Sequence, residues 1–161
     1  MWCFLLRGAI LKIFIDADGC PVTRIVVEIA KKDNIECIVV CDTSHSFDFE
    51  NARTLTVDKG SDSADFKIAN MISQNDIVVT QDYGLASMCL SHKACPINQN
   101  GMRYTDKNID SLLMSRYVSK KIRESSKRIK GPKKRNSEND EIFIREFIKL
   151  INEIKINEKG D

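Results

Sequence analysis

The sequence predicts an α/β protein: a parallel β-sheet flanked by helices, with a C-terminal helical extension. Three observations lead there. Ile13-Phe14-Ile15 is an apolar run with two β-branched residues, and it stops at Asp16-Ala17-Asp18-Gly19 as a buried strand stops at a turn. Val22, Ile25, Val26, Ile29 and Ala30 then recur at helical spacing, and Ile35–Cys41 is a second continuous β-branched run. Strand, helix and strand over about 30 residues make a βαβ unit, whose strands run parallel.

Each element follows from its own residues. Pro21 opens the first helix, because proline loses nothing at the first helical position. Lys31-Lys32-Asp33-Asn34 ends it, where basic residues suit a helix C-terminus. Asp42-Thr43-Ser44-His45-Ser46 is a polar loop at the carboxyl end of the second strand. Arg53–Val57 reads as a short strand and Asp58-Lys59-Gly60-Ser61 as a turn. Asp62-Ser63-Ala64-Asp65 opens a helix with Ala64, Ile68, Met71 and Ile72 on one face. Asp76–Asp82 carries another buried strand, Tyr83–Leu90 a short helix and Ala94–Ile97 the last strand, followed by a turn at Asn98-Gln99-Asn100-Gly101. Thr105-Asp106-Lys107-Asn108 precedes a helix reaching Ser125. A polar, basic loop then spans Lys127–Asn139, and Phe143, Phe147, Leu150, Ile151 and Ile154 mark a final amphipathic helix over residues 140–156. Nothing repeats and no second apolar core appears, so residues 1–161 are expected to form one domain with its core over 12–125.

A hydrophobic content of 42% with 30% charged residues fits a globular protein, and no apolar run is long enough to span a bilayer. Met1–Leu11 is apolar but carries Arg7 and lacks the basic start of a signal peptide. It reads as an extension of the first strand, or as residues ahead of a later start. The net charge of +2 conceals a division. From Arg116 to Arg135 there are ten Lys and Arg against Glu124 alone, a local charge of +9, which leaves −7 for the remainder. Such a basic stretch suits phosphate contacts or is simply a solvated face. Six cysteines form no Cys-x-x-Cys pair, and with two histidines no ligand spacing suits zinc. Reduced thiols in a cytoplasmic protein are expected. Cys20, beside the acidic turn, is either a reactive thiol or a small packing residue.

Acids recur where strands end or helices begin: Asp16 and Asp18, Asp62 and Asp65, and Asp82. Parallel strands would bring these tips to one sheet edge, where ligands bind in open α/β sheets. Two unit charges about 4 Å apart repel by about 4 kcal/mol at an effective dielectric near 20. A divalent cation removes that penalty. Local explanations compete: Asp18 capping the next helix, Asp16 bonded to turn amides, and Asp62 with Asp65 as a capping box. If the acids converge, an oxygen-rich set suits Mg²⁺ or Mn²⁺ and in-line attack of water on a phosphodiester.

The pieces Ile15-Asp16-Ala17-Asp18-Gly19-Cys20-Pro21-Val22, Ser44-His45, Gly60-Ser61-Asp62-Ser63-Ala64-Asp65 and Asp76-Ile77-Val78-Val79-Thr80-Gln81-Asp82 occur in this order. Leu85-Ala86, Tyr104, Asn108-Ile109 and Gly131-Pro132 follow them. Together they resemble the uncharacterised bacterial YaiI/YqxD family over residues 12–155. Two stretches depart from it: Lys133-Lys134 stand where Pro-Phe is usual, and Asn98-Gln99-Asn100-Gly101 where a Pro-Arg-Gly turn is usual. The family looks like a relative of PIN-type and NYN nucleases. That kinship implies a Rossmann-like (PIN-like) sheet with an acidic metal pocket. Carried over, Asp16 is the first-strand acid of that pocket, Asp62 or Asp65 its helical acid and Asp82 its Thr-x-Asp acid. The expected roles are then Asp16, Asp65 and Asp82 as metal ligands, Asp62 as a further ligand or water-positioning acid, and Asp18 as an acid that supports a ligand from behind or orients the water. Ser44, His45, Thr80, Lys133, Lys134 and Arg135 are the expected substrate contacts. The implied activity is Mg²⁺- or Mn²⁺-dependent hydrolysis of nucleic acid, RNA in the first instance.

Two other readings stay open. A haloacid-dehalogenase-type phosphatase also ends its first strand in Asp-x-Asp, with Asp16 as covalent nucleophile and Thr80 as second motif, although Cys20 stands where Thr is expected. The alternative without chemistry is a nucleic-acid-binding or regulatory module that keeps the pocket.

Overall fold

A computed structural model describes residues 10–60, 63–125, 131 and 133–160. Five strands, β1 (Lys12–Asp16), β2 (Glu36–Asp42), β3 (Arg53–Val57), β4 (Ile77–Val79) and β5 (Cys95–Ile97), form one sheet in the order β3-β2-β1-β4-β5. All its neighbours run parallel. Five helices accompany them: α1 (Thr23–Lys32), α2 (Ser63–Met71), α3 (Tyr83–Ser91), α4 (Ile109–Glu124) and α5 (Ser137–Gly160). The arrangement is α/β and Rossmann-like, as the sequence implies.

Side-chain alternation sorts the sheet into two faces. Ile13, Ile15, Cys37, Val39, Ile77 and Val79 point one way, into a cluster with Val26, Val27 and Ala30 of α1 and Phe143, Phe147, Leu150, Ile151 and Ile154 of α5. Phe14, Ile38, Val40 and Val78 point the other way, onto Ile68 of α2 and Leu85 and Cys89 of α3. Ile13, Phe14 and Ile15 are wholly buried because β1 is covered on both faces and paired on both edges. Helix α4 docks near its N-terminus, where Ile109, Leu112 and Leu113 meet Ala86 and Tyr104. No helix among the described residues is long and apolar enough to cross a membrane.

The structure corrects the sequence reading in two places. Pro21 does not open α1. A turn closed by the Cys20 N–H on the Ala17 carbonyl (3.1 Å) takes up the residues after β1, with Gly19 at φ +71°. The first helical rung is Val26 N–H to Val22 O (3.0 Å), so the helix begins two residues later, at Thr23. The final helix is also longer than expected, starting at Ser137 and ending at Gly160. Asn136 and Asn139 exchange bonds, each amide N–H donating to the other's side-chain oxygen at 3.0 and 3.1 Å. This is a reciprocal cap of the capping-box kind, built from two Asn in place of Ser and Glu. Part of the expected basic loop, residues 127–130 and 132, lies outside the described residues, as do residues 1–9.

Helix α5 is fastened by polar ties as well as its apolar stripe. Arg103 pairs with Glu153, Lys155 with Asp33 at 3.1 Å, and Arg135 with both Asp140 (2.7 Å) and Asn100 (2.9 Å). Gly101, at φ +83°, lies so close to α5 that an added Cβ would come within 3.0 Å of the Glu146 Cβ. Phe147→Ala is expected to destabilise the protein by about 3–5 kcal/mol, the usual cost of emptying a phenylalanine site in a core. Urea denaturation of the variant against the native chain measures it.

Candidate functional site

Strands β1 and β4 are neighbours, yet β2 and β3 lie between them in sequence. The chain runs outward from β1 to β3 and returns on the other side. The crevice beyond the carboxyl ends of β1 and β4 is therefore the switch point of the sheet, where open α/β folds bind ligands.

Thr80, one residue past β4, joins the two strand ends. It is 1% exposed. Its hydroxyl donates to Asp16 Oδ2 at 2.8 Å and accepts the Asp82 N–H at 3.0 Å. Its own N–H donates to Ile97 O, and its carbonyl accepts from the Tyr104 hydroxyl. Each of its polar groups is thus engaged inside the protein, and what Thr80 touches is Asp16 and Asp82 rather than the cleft surface. Burial pushes the Asp16 carboxyl above the ordinary 3.8; the Thr80 bond opposes this, and the charges of Asp18 and Asp82 reinforce it.

Asp82 caps α3 by accepting the Leu85 N–H at 2.9 Å, and its other oxygen lies 3.6 Å from Arg116. Asp18 does not cap α1, which has no side-chain cap. It accepts the Asp42 N–H at 3.1 Å, and its Oδ1 lies 3.0 Å from His45 Nδ1. The same imidazole nitrogen is 3.3 Å from Asp42 Oδ1. Asp42 in turn accepts the N–H and hydroxyl of Ser44, and these bonds hold its carboxyl below the usual carboxylate range. Gln81 donates to the Gly19 carbonyl at 2.8 Å, tying the turn after β1 to the residues after β4. Cys20 is half-buried against the core and burial pushes its thiol up, which fits packing rather than reactivity.

These segments frame a cleft of about 840 Å³ lined by Asp16, Asp18, Asp65 and Asp82, with Gly60, Gln81, Tyr83, Arg116 and Arg123 among its other walls. Asp65 enters from the first turn of α2. Asp62 lies outside the described residues. The expected substrate residues divide. His45 reaches the cleft through Asp18, and Ser44 bonds to Asp42 beside it. Lys133 and Lys134 are exposed but do not line it, and Arg135 is held by Asp140 and Asn100 at the start of α5.

The model of the family described as "Uncharacterized BCR, YaiI/YqxD family" matches residues 14–153. The chain belongs to this family. Among its relatives are proteins called UPF0178 protein. That of Exiguobacterium sibiricum is 46% identical over 143 residues, covering 89% of this chain and 98% of the relative. That of Ruminiclostridium cellulolyticum is 45% identical over 141 residues, 88% of this chain and 92% of the relative. That of Alkaliphilus oremlandii is 43% identical over 150 residues, 93% and 97% respectively. No solved structure matches the chain.

In this YaiI/YqxD family member, sequence reasoning did not single out Asp42, which bonds to Asp18 beside the cleft, or Arg116 and Arg123, which line it. Asp42 ends the strand next to β1, which would have placed it beside Asp18 had the strand order been known. Arg116 and Arg123 are seven residues apart, two turns along one side of α4, a periodicity hidden within the basic stretch.

The raised Asp16 carboxyl has a consequence for stability. Folded, Asp16 keeps its proton at pH values where the unfolded chain has lost it, so the folded state loses stability as pH rises through that window. In the absence of divalent cations, Asp16→Asn should therefore melt at a higher temperature than the native chain at about pH 7. The difference should shrink as pH falls toward the ordinary carboxylate range. Thermal melts in chelator across that range measure both signs.

Proposed function

We infer that the protein is a Mg²⁺- or Mn²⁺-dependent phosphodiesterase acting on nucleic acid, with RNA the first substrate to test. One observation carries this reading: Asp16 at the end of β1, Asp18 just after it, Asp65 on α2 and Asp82 before α3 line one cleft whose wall also holds Arg116 and Arg123. The acids named in that lining offer oxygen alone, the donor preferred by hard divalent cations. Burial is the main cause of the upward shift of Asp16, the charges of Asp18 and Asp82 add to it, and a dication would relieve it.

Asp16, Asp65 and Asp82 would hold the cation, with Asp62 a further ligand or water-positioning acid. When bound, Mg²⁺ or Mn²⁺ supplies the Lewis acidity that activates water and offsets charge on the leaving oxygen. The protein's own groups do the rest. Thr80 keeps Asp16 in register with the segment bearing Asp82. Asp18, held by the Asp42 amide and His45, is oriented to accept a proton from the attacking water. Arg116 and Arg123 carry the charge that a phosphodiester requires.

Two measurements test this. Thr80→Val should weaken Mn²⁺ binding about 10- to 100-fold in calorimetry, the usual cost of losing a partner that orients a ligand. Asp16→Asn and Asp82→Asn should each reduce Mn²⁺-dependent cleavage of a labelled RNA pool by about 100-fold or more. Unchanged Mn²⁺ affinity in Asp16→Asn, or equal cleavage in Mn²⁺ and chelator, would overturn the reading.

A further inference from the structure

Helix α4 is buried only at its start. From Met114 to Glu124 every residue is exposed except the half-buried Ser119. Met114 (61%), Tyr117 (58%), Val118 (46%) and Ile122 (38%) are among the large apolar side chains that the molecule exposes. At about 3.6 residues per turn they fall on one side of the helix. Arg116 and Arg123 fall on roughly the opposite side, where they line the cleft. The apolar stripe therefore faces away from the acidic site. Two charges complete it. Asp110, in the first turn of α4, lies one turn before Met114. Lys121 lies one turn after Tyr117, its ammonium 5.7 Å from the centre of that ring. Both are exposed, and neither has an ion-pair partner among the described residues.

We propose that this stripe is the contact of a homodimer, in which α4 packs antiparallel against α4 of a second copy about a two-fold axis. Single exposed apolar residues are ordinary, but a contiguous apolar strip marks an interaction surface. Charge selects the occupant and its direction. In a two-fold interface, if one residue meets another, the second also meets the first. The register that sets Met114 against Tyr117 of the second copy also sets Asp110, one turn earlier, against Lys121, one turn later, and does so twice. An acid at one end of the stripe and a base at the other, with apolar residues between, match themselves when one copy is reversed. Parallel pairing would set Asp110 against Asp110 and Lys121 against Lys121. A nucleic-acid strand fits this side poorly, since the arginines are turned away and Asp110 repels phosphate. The size of the contact sets its strength. The 16 residues of α4 make a helix about 24 Å long and about 10 Å wide. One such helix pair buries less than the about 800 Å² per partner of a standard interface, so the dimer belongs to the weak, reversible class. The proposal is independent of the phosphodiesterase reading, because the contact leaves Arg116 and Arg123 of each copy on their own cleft.

Sedimentation equilibrium of the full chain tests this, at chain concentrations from about 1 to 200 µM, which bracket a micromolar dissociation constant. The average mass should rise from one chain toward two across the series. Tyr117→Ala and Met114→Ala should each raise the dissociation constant about tenfold or more, as truncating a central apolar anchor does. The charges test the register. Asp110→Lys and Lys121→Asp should each weaken association several-fold, and the double variant carrying both should restore it. Thermal melts at the lowest concentration, where the native chain is monomeric, check that these exposed substitutions leave the fold intact. A chain that stays monomeric at the highest concentration overturns the proposal and leaves the face to an unlike partner. A dimer that Tyr117→Ala and both charge reversals leave unchanged also overturns it, by placing the contact elsewhere. Charge reversals that weaken association singly and fail to restore it together rule out the antiparallel register, and the proposal with it.

Discussion

The hydroxyl of Thr80 is the constraint on which the rest of the site depends. It is a single donor and acceptor, buried, bonded on one side to the Asp16 carboxylate and on the other to the Asp82 amide. Strands β1 and β4 are brought side by side by the sheet, but strand pairing alone does not hold the residues beyond their ends. The Thr80 hydroxyl does, aided by the Tyr104 hydroxyl on its carbonyl and by Gln81 on Gly19. A half-buried carboxylate with one hydroxyl donor remains short of charge compensation, which is why its proton is held more tightly than in water. The site is thus rigid and electrostatically unfinished at once.

The charge division along the sequence becomes a spatial division with three destinations. Arg116 and Arg123 go to the cleft wall, Arg116 within 3.6 Å of Asp82. Arg135 is spent on Asp140 and Asn100, where it fastens the start of α5. Lys133 and Lys134 stay in solvent away from the cleft. Basic residues adjacent in sequence therefore serve unrelated ends, and only those on the regular surface of α4 share one side with the site.

The two faces of the sheet also differ in what they do. Helices α1 and α5 cover one face with a continuous apolar cluster. Helices α2 and α3 cover the other, and each starts beside the cleft, with Asp65 in the first turn of one and Asp82 capping the other. Negative side chains at helix N-termini are favoured by the helix dipole. The same placement stabilises both helices and presents their acids at the carboxyl edge of the sheet, so capping and site formation are one arrangement.

Much of this was legible in the residues themselves. The runs at Ile13-Phe14-Ile15 and Ile35–Cys41, the helical stripes at Val22–Ala30 and Phe143–Ile154, and the acids at strand ends are local patterns, and local patterns follow from side-chain periodicity. Cap geometry is less so: Pro21 yielded to a turn centred on Gly19, and paired Asn136 and Asn139 started α5 early, because both depend on backbone bonds that residue types only suggest. The order β3-β2-β1-β4-β5 was decided only by tertiary structure. That order puts Asp42 next to Asp18 and Thr80 next to Asp16, and packing sets Arg116 and Arg123 of α4 on the cleft wall, since residues far apart in sequence meet through sheet pairing and packing, to which no single segment holds the key.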